Sequence, residues 1–341
     1  MTVEPKLSIV IPYYNSDEWI GQMLDSLLDQ NLSDDSYEII VIDDGSTQDA
    51  TILKSYANRN PIIKYYRKEN GGPSAARNLG IDLARGKWVY FCDSDDYVQP
   101  QVLGSLIRVA EDKDLEMLVC DWCVVQPDTF GRKQNKELHI SNVYSGMDYL
   151  ALFASSPMSI GFGSWRYIIR KSILQENRIR WEDMVYIEDR IFQLDLLLVV
   201  KRLVHANVNL YYYVQHPTSI LHSQKKEKYE LYASWIWHYI TRLSDTIQDD
   251  SLNLSSNAIT TLDGWRDMAV FSLLINSFRY CPVSTSRDYM AKLVELDGAY
   301  PVKVIRKGLA RIVRKCMGHR RLWIFMCRVF HLIPLKMRLS L

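Results

Sequence analysis

Beyond Asp297 this chain of 341 residues has no carboxylate side chain, although 40 aspartates and glutamates precede that point. The formal charge of +1 therefore hides two regions of opposite sign. Residues 298–341 hold 11 lysines and arginines, and the rest holds 30 against those 40 acids. Long apolar runs are also missing. The strongest candidate, Leu322-Trp323-Ile324-Phe325-Met326-Cys327, is broken by Arg328 and falls short of the ~20 apolar residues that span a bilayer. Cysteine is scarce, with six scattered positions and a start that lacks a secretory signal. A disulfide scaffold is thereby excluded, and a reducing cytoplasm is the expectation. Cys120-Asp121-Trp122-Cys123 has the spacing of half a zinc site, but no second half follows, so core thiols on a strand are expected. Repeats and low-complexity segments are absent, which excludes solenoids and arrays.

What is present is a chain that is 48% hydrophobic, long enough for a substantial core plus an extension. Leu7-Ser8-Ile9-Val10-Ile11-Pro12 reads as a buried strand, followed by Tyr13-Tyr14-Asn15 and an amphipathic segment from Asp17 to Gln30. Glu38-Ile39-Ile40-Val41-Ile42 is a second strand, ending in Asp43-Asp44-Gly45-Ser46. Asn70-Gly71-Gly72-Pro73-Ser74-Ala75-Ala76-Arg77-Asn78 permits close backbone approach at its glycines, and Pro73 suits the first turn of a helix. A further strand, Trp88-Val89-Tyr90-Phe91-Cys92, runs straight into Asp93-Ser94-Asp95-Asp96. The alternation of strand and helix predicts an α/β domain with a mostly parallel sheet, whose carboxyl edge is where ligands bind. Three carboxylates within four residues repel one another, and hard divalent ions accept such oxygen ligands. Asp96 serves equally well as an N-cap for a helix near Pro100.

These four motifs, in this order and spacing, resemble the family 2 glycosyltransferases over roughly residues 6–220. The resemblance implies a GT-A fold, Rossmann-like, and an inverting enzyme that uses a nucleotide-diphosphate sugar. It implies that Pro12, Tyr14 and Asn15 line the nucleotide pocket and that Asp44 contacts the base, commonly uracil, while Asp43 holds its own loop. Arg77, Asp93 and Ser94 fall in the donor site by the same likeness. Asp95 and Asp93 take the positions of the family's metal-binding acids, with Mn²⁺ or Mg²⁺ as the ion. His216 at the end of the aromatic stretch Leu210 to Val214 joins them as a metal or phosphate ligand, with His222 as substitute. The base that deprotonates the acceptor is Asp189 by family match, and Glu188 orients the acceptor or the base. Glu188-Asp189 also opens an apolar run, where a helix dipole favours negative charge. Glu182-Asp183 is a competing pair. Trp165 is read either as a sugar-stacking ring or as a core residue.

The expected activity is metal-dependent transfer of one hexosyl or N-acetylhexosaminyl group, most often from a UDP-sugar, to a glycan or lipid-linked acceptor in surface polysaccharide synthesis. The Gln-any-any-Arg-Trp signature of processive synthases is absent, which favours single-sugar addition. A nucleotidyltransferase with a related sheet, or a catalytically silent sugar-nucleotide-binding protein, stays open as an alternative. The expected organisation is a catalytic domain over 1–222, a helical subdomain over 223–297 and a basic amphipathic tail over 298–341. In the tail Ile305, Leu309, Ile312 and Cys316 share one helical face, opposite Lys303, Lys307, Arg311 and Arg314. Such a helix lies on an anionic membrane surface, so a peripheral position at the inner face of the cell membrane is expected. The alternatives are packing on the catalytic domain or on another subunit. No recognised nucleic-acid motif accompanies the charge, so nucleic acid is not an expected partner.

Overall fold

The structure, a computed structural model, describes residues 4–126, 138–184, 186–215, 227–281 and 283–296. The basic tail expected over 298–341 lies outside the described residues, as do His216 and His222. In chain order the first elements are β1 (Leu7–Tyr13), α1 (Asp17–Leu28), β2 (Tyr37–Asp44), α2 (Thr51–Arg59), β3 (Ile63–Lys68), α3 (Gly72–Leu83), β4 (Trp88–Phe91), β5 (Tyr97–Val98) and α4 (Leu103–Asp112). There follow β6 (Met117–Val125), α5 (Gly146–Ala151), β7 (Tyr167–Arg170), α6 (Lys171–Glu176), α7 (Glu188–Val199) and β8 (Leu203–Val214). Three long helices, α8 (Glu227–Gln248), α9 (Ser256–Tyr280) and α10 (Val283–Glu295), complete the described chain.

The strands form one eight-stranded sheet in the order β3-β2-β1-β4-β7-β6-β8-β5. Its β3-β2-β1-β4 half is parallel, as the strand–helix alternation predicts. Beyond β4 the sheet is mixed: β7 enters antiparallel to both β4 and β6, and β5 is antiparallel to β8. All of β2 is buried, as expected for a strand covered on both faces. Helix α3 lies close on β1, because a Cβ at Gly80 would meet Val10 Cγ1 at 2.1 Å. Helix α2 has no cap of its own. Its first amides, Ile52 N and Leu53 N, donate instead to the Asp17 carboxylate at the start of α1.

Contacts divide the chain into two compact units, one drawn from Met1–Gly146 and Phe162–His222, the other from Met147–Gly161 and Ser223–Leu341. The first holds the sheet. In the second, Ala233, Ile236, Tyr239, Ile240 and Leu243 bury one stripe of α8, and Leu262, Trp265, Ala269 and Leu273 do so on α9. The segment before Phe162 belongs to this helical unit: Trp265 Nε1 donates to Pro157 O at 2.9 Å and Thr261 Oγ1 to Leu150 O at 2.8 Å. No helix among the described residues is long and apolar enough to cross a membrane.

Candidate active site

At the carboxyl edge of the sheet, β1, β2 and β4 end close to one another. Pro12 and Tyr13 close β1, and Tyr14 is 47% exposed. Asn15, at φ 50°, turns back onto the end of β2: its Oδ1 accepts from Thr47 N at 2.9 Å and Gln48 N at 3.0 Å, and its own N donates to Ser46 Oγ. Gly45 has a φ of +72°, and a Cβ there would strike Asn70 N at 2.7 Å, so the Asp-Gly-Ser turn requires glycine. Asp43 accepts from Ser46 N at 2.8 Å and Tyr65 Oη at 2.7 Å, with Arg67 Nη1 at 3.3 Å. Burial works against its charge, but these hydrogen bonds and Arg67 hold the carboxyl below its ordinary range. Asp44 is also buried. Its Oδ1 accepts from Lys68 Nζ at 2.6 Å and Gly71 N at 2.9 Å, and its Oδ2 from Gly72 N at 2.7 Å. Both acids of this pair thus hold loop backbone.

The tip of β4 is built differently. Asp96 does not cap the next helix, contrary to the reading from sequence. It is buried, accepting from Tyr211 Oη at 2.6 Å and Val214 N at 2.7 Å, which pins the turn to β8. Burial, then the charges of Asp95 and Asp93, push its carboxyl well above the usual range. Helix α4 is capped from the end of α1 instead: Gln30 Oε1 accepts from Val102 N and Leu103 N, and Asn31 Oδ1 from Gly104 N. Asp93 N donates to Tyr211 Oη at 3.0 Å, which leaves the Asp93 side chain 32% exposed. Asp95 is half-buried and Ser94 buried beside it.

Arg77 of α3 gathers the remaining acids. Its guanidinium is almost fully buried, donating from Nη2 to Asp93 Oδ1 at 2.8 Å and from Nη1 to Glu188 Oε1 at 3.4 Å. Burial opposes the charge, but Asp93, Asp189 and Glu188 hold it firmly cationic. The Trp181 ring lies 4.5 Å beneath the guanidinium carbon, a contact worth ~2 kcal/mol or more when desolvated. Trp181 is fixed in turn. It stacks on Phe192 with centroids 4.1 Å apart, meets Phe91 edge-on, and its backbone N and O are both clamped by the Asn78 side chain. Trp181 does not stand out by local pattern, its one signal being an aromatic just before the first Glu-Asp pair, and Asn78 closes the glycine-rich motif without any sign of the partner it clamps.

Glu188 and Asp189 open α7, as the sequence predicts for a helix start. Their N-cap is Ile187, a β-branched residue at φ 74°, ψ −6°. Such a conformation is an outlier for isoleucine and costs on the order of 1–3 kcal/mol. It turns the chain so that Glu188 meets Arg77 and Asp189 accepts from Ser164 N at 3.3 Å, so Asp189 does not act as the cap. Glu188 is pushed up to about 8, by burial first and the Asp189 charge second, with Arg77 opposing. Asp189 is also raised by burial, with Arg77 opposing and Asp93 adding to the rise. Of the competing pair, Asp183 is exposed and Glu182 half-buried, whereas Glu188 is buried against Arg77.

One cation facing three acids leaves an excess of negative charge, which Glu188 relieves by keeping its proton near neutral pH. No group of three His, Cys, Asp or Glu at metal-binding distance occurs among the described residues. Asp93 and Asp95 nonetheless fit a hard divalent ion in their donor chemistry, since such ions take one or two protein carboxylates and complete the shell with phosphate oxygens and water.

A sequence model described as glycosyl transferase family 2 matches residues 8–176. The glycosyltransferase YibD of Escherichia coli is 31% identical over 248 residues, covering 71% of each chain. A poly(ribitol-phosphate) beta-glucosyltransferase of Bacillus spizizenii is 29% identical over 62% of this chain, which spans about a third (32%) of that protein. Among solved structures, Staphylococcus aureus TarS 1–349 in complex with UDP-GlcNAc superposes with a TM-score of 0.63 at 20% identity, over 96% of this chain and 91% of that one. At that identity the likeness speaks for the fold.

Proposed function

Because the chain belongs to glycosyl transferase family 2, we propose that it transfers a single sugar, with inversion, from a nucleotide-diphosphate donor to a hydroxyl of a glycan or lipid-linked acceptor. The observation that carries this reading is the meeting of Asp93, Glu188 and Asp189 on a single buried guanidinium, that of Arg77. A fold needs no such cluster, since removing either partner of a buried ion pair is far costlier than never building it.

In this reading Asp189 takes the proton of the acceptor hydroxyl while the oxygen of that hydroxyl bonds to the anomeric carbon. The bond from that carbon to the phosphate oxygen breaks, and its electrons leave with the nucleoside diphosphate. The raised affinity of Asp189 for protons suits a general base working near neutral pH. Glu188, protonated, donates a hydrogen bond and spares the site a third negative charge. Arg77 orients Asp93 and holds the negative groups together. Asp95 and Asp93 are the residues that would hold Mn²⁺ or Mg²⁺; when bound, the ion supplies charge neutralisation for the departing diphosphate.

A UDP-sugar is the proposed donor, with Pro12, Tyr14, Asn15 and Ser94 around the nucleotide. A carboxylate offers about four acceptor positions, and the three that Asp44 uses internally leave one for a base N–H. The UDP-GlcNAc complex of TarS and the poly(ribitol-phosphate) glucosyltransferase favour this donor class and a surface-polymer setting. The basic residues of 298–341 favour attachment at an anionic membrane face.

The test is Asp189→Asn. Nucleotide-sugar screening with Mn²⁺ identifies the donor by hydrolysis or thermal stabilisation. The variant then retains donor binding and loses transfer by roughly 10²–10⁴-fold. Undiminished turnover would overturn the assignment of the base.

A further inference from the structure

Trp165, read from sequence as a possible sugar-stacking ring, is only 8% exposed, because its ring is stacked on Tyr211 with centroids 4.6 Å apart and an interplanar angle of 8°. The exposed member of this aromatic group is Trp122 of β6. Its indole meets Trp165 at 65° with centroids 4.9 Å apart, and it is 37% exposed. A tryptophan left that open on a strand contributes little to the core, so its position calls for another reason.

Three features place this ring relative to the site. First, it is joined to the chemistry through its neighbours. Trp122 pairs across the ladder with Tyr211, whose hydroxyl binds both Asp93 N and Asp96, and Trp165 follows Ser164, whose N–H donates to Asp189. Second, the sheet order puts the two sides of a transfer reaction on opposite flanks of β4. The β1 and β2 turns that carry Asn15 and Asp44 lie on one flank, and β7, β6 and β8 lie on the other. Two strand spacings, roughly 10 Å, separate β6 from β4, a saccharide-sized span.

Third, the strand is re-aimed just here. The register between β6 and β8 slips between Cys120 and Asp121 and again between Asp121 and Trp122, as β8 takes up extra residues. The buried Arg166 donates from Nε to Cys120 O at 3.1 Å at this point. Up to Cys120 every residue of β6 is buried, and from Asp121 onward exposure alternates, with Trp122 and Val124 open on one face. Bulges next to active sites re-aim side chains in this way.

We propose that Trp122, backed by Trp165, is a stacking platform that receives a pyranose ring of the acceptor glycan. The inference rests on the glycosyltransferase reading above. It names the acceptor side of that site, where an indole face covers the C–H face of a sugar and the reacting hydroxyl is directed toward Asp189. Aromatic rings of this kind supply large contact area at little cost in side-chain freedom.

The experiment uses the full chain and a saccharide panel of cellobiose, chitobiose and methyl α-D-mannopyranoside, followed by saturation-transfer NMR. At least one saccharide binds saturably, Trp122→Ala weakens it at least roughly fivefold, and Trp122→Phe keeps most of the affinity, as loss and retention of a stacked ring require. Should Trp122→Ala fail to fold, the unsubstituted chain still decides the matter: a saturating saccharide must slow N-bromosuccinimide oxidation of Trp122, read by peptide mass spectrometry. Unchanged binding in Trp122→Ala, no protection of Trp122, or no saccharide binding by the unsubstituted chain overturns the proposal. Stabilisation of the unsubstituted chain by UDP is measured in parallel. Its absence counts against the enzyme reading and leaves the saccharide result to stand by itself.

Discussion

Strand β2 runs into Asp43-Asp44 and strand β4 into Asp93-Ser94-Asp95-Asp96, yet the two acidic tips use their charge differently. At β2 both carboxylates face inward. Between them they take up the amides of Ser46, Gly71 and Gly72, the Tyr65 hydroxyl and the side chains of Lys68 and Arg67. At β4 Asp96 is consumed in this way, while Asp93 stays partly exposed against Arg77. The cause is what lies nearby. The tip of β2 is ringed by backbone N–H groups in need of acceptors, and acids there become loop architecture. The tip of β4 faces one buried guanidinium and two further acids from α7, so charge accumulates where a cationic or phosphate-bearing ligand relieves it.

The strongest test of this contrast is Arg77→Met. It removes the guanidinium that three acids share, and a loss of ~3–5 kcal/mol in denaturant unfolding is expected, together with loss of transfer. An unchanged midpoint would mean that the acids do not need the cation and that the tip of β4 is a solvated turn. Next comes a pair, Asp44→Asn and Asp93→Asn. The first leaves loop amides short of their acceptor and lowers stability by about 1–3 kcal/mol. The second lowers it less, because Glu188 ionises to take the place of Asp93 at Arg77, but abolishes divalent-dependent donor turnover. The reverse ordering of the two stabilities breaks the comparison.

Glu188→Gln sharpens it through pH. Glu188 is pushed up to about 8 from an ordinary 4.5, so in that window the folded protein holds a proton that the unfolded chain has released. Stability from this group is therefore full below about 4.5 and lost as pH rises through about 8. Melting temperatures of the variant and the unsubstituted chain must then diverge upward in favour of the variant between those limits. The alkaline limb of the transfer rate, which reports loss of that proton, disappears in Glu188→Gln, while the acid limb set by Asp189 remains. The smallest effect belongs to Ile187→Asn. Asparagine tolerates the left-handed conformation and is a preferred N-cap, so a gain of about 1 kcal/mol is expected, read by chemical denaturation. A loss instead would show that the isoleucine side chain, and not its backbone angle, is what the site requires.

Much of this was readable from local pattern. The parallel half of the sheet follows from apolar runs alternating with amphipathic segments, and the start of α7 at Glu188 follows from an acidic pair ahead of Ile191 and Phe192. Asp43 as a loop holder is equally local, since the donor it accepts from lies three residues away at Ser46 N. Asp96 shows the limit: a short acid ahead of a helix reads as a cap, but its partners Tyr211 and Val214 lie more than 100 residues on. Nothing local foretold that Gln30 and Asn31 would cap α4 in its stead. Trp165 is ambiguous from sequence, because a tryptophan on paper does not say whether another ring covers it, as Trp122 and Tyr211 do here.

By itself, then, the order of residues determined which segments become strands and helices, and which strand ends carry carboxylates. Periodicity and turn chemistry act over a few residues, and composition fixed the opposite charge of the two ends of the chain. Only the tertiary structure decided that Arg77 collects Asp93 and Glu188, residues separated from it by 16 and 111 positions, over the face of Trp181. The reason is topological. Strand β7 runs antiparallel to β4, so the segment before it brings Ser164 to Asp189 at the carboxyl edge, and the chain that leaves its far end returns to that edge at Trp181 and Glu188. No local rule encodes which distant side chains then share one low-dielectric space, yet that shared space is what keeps a proton on Glu188.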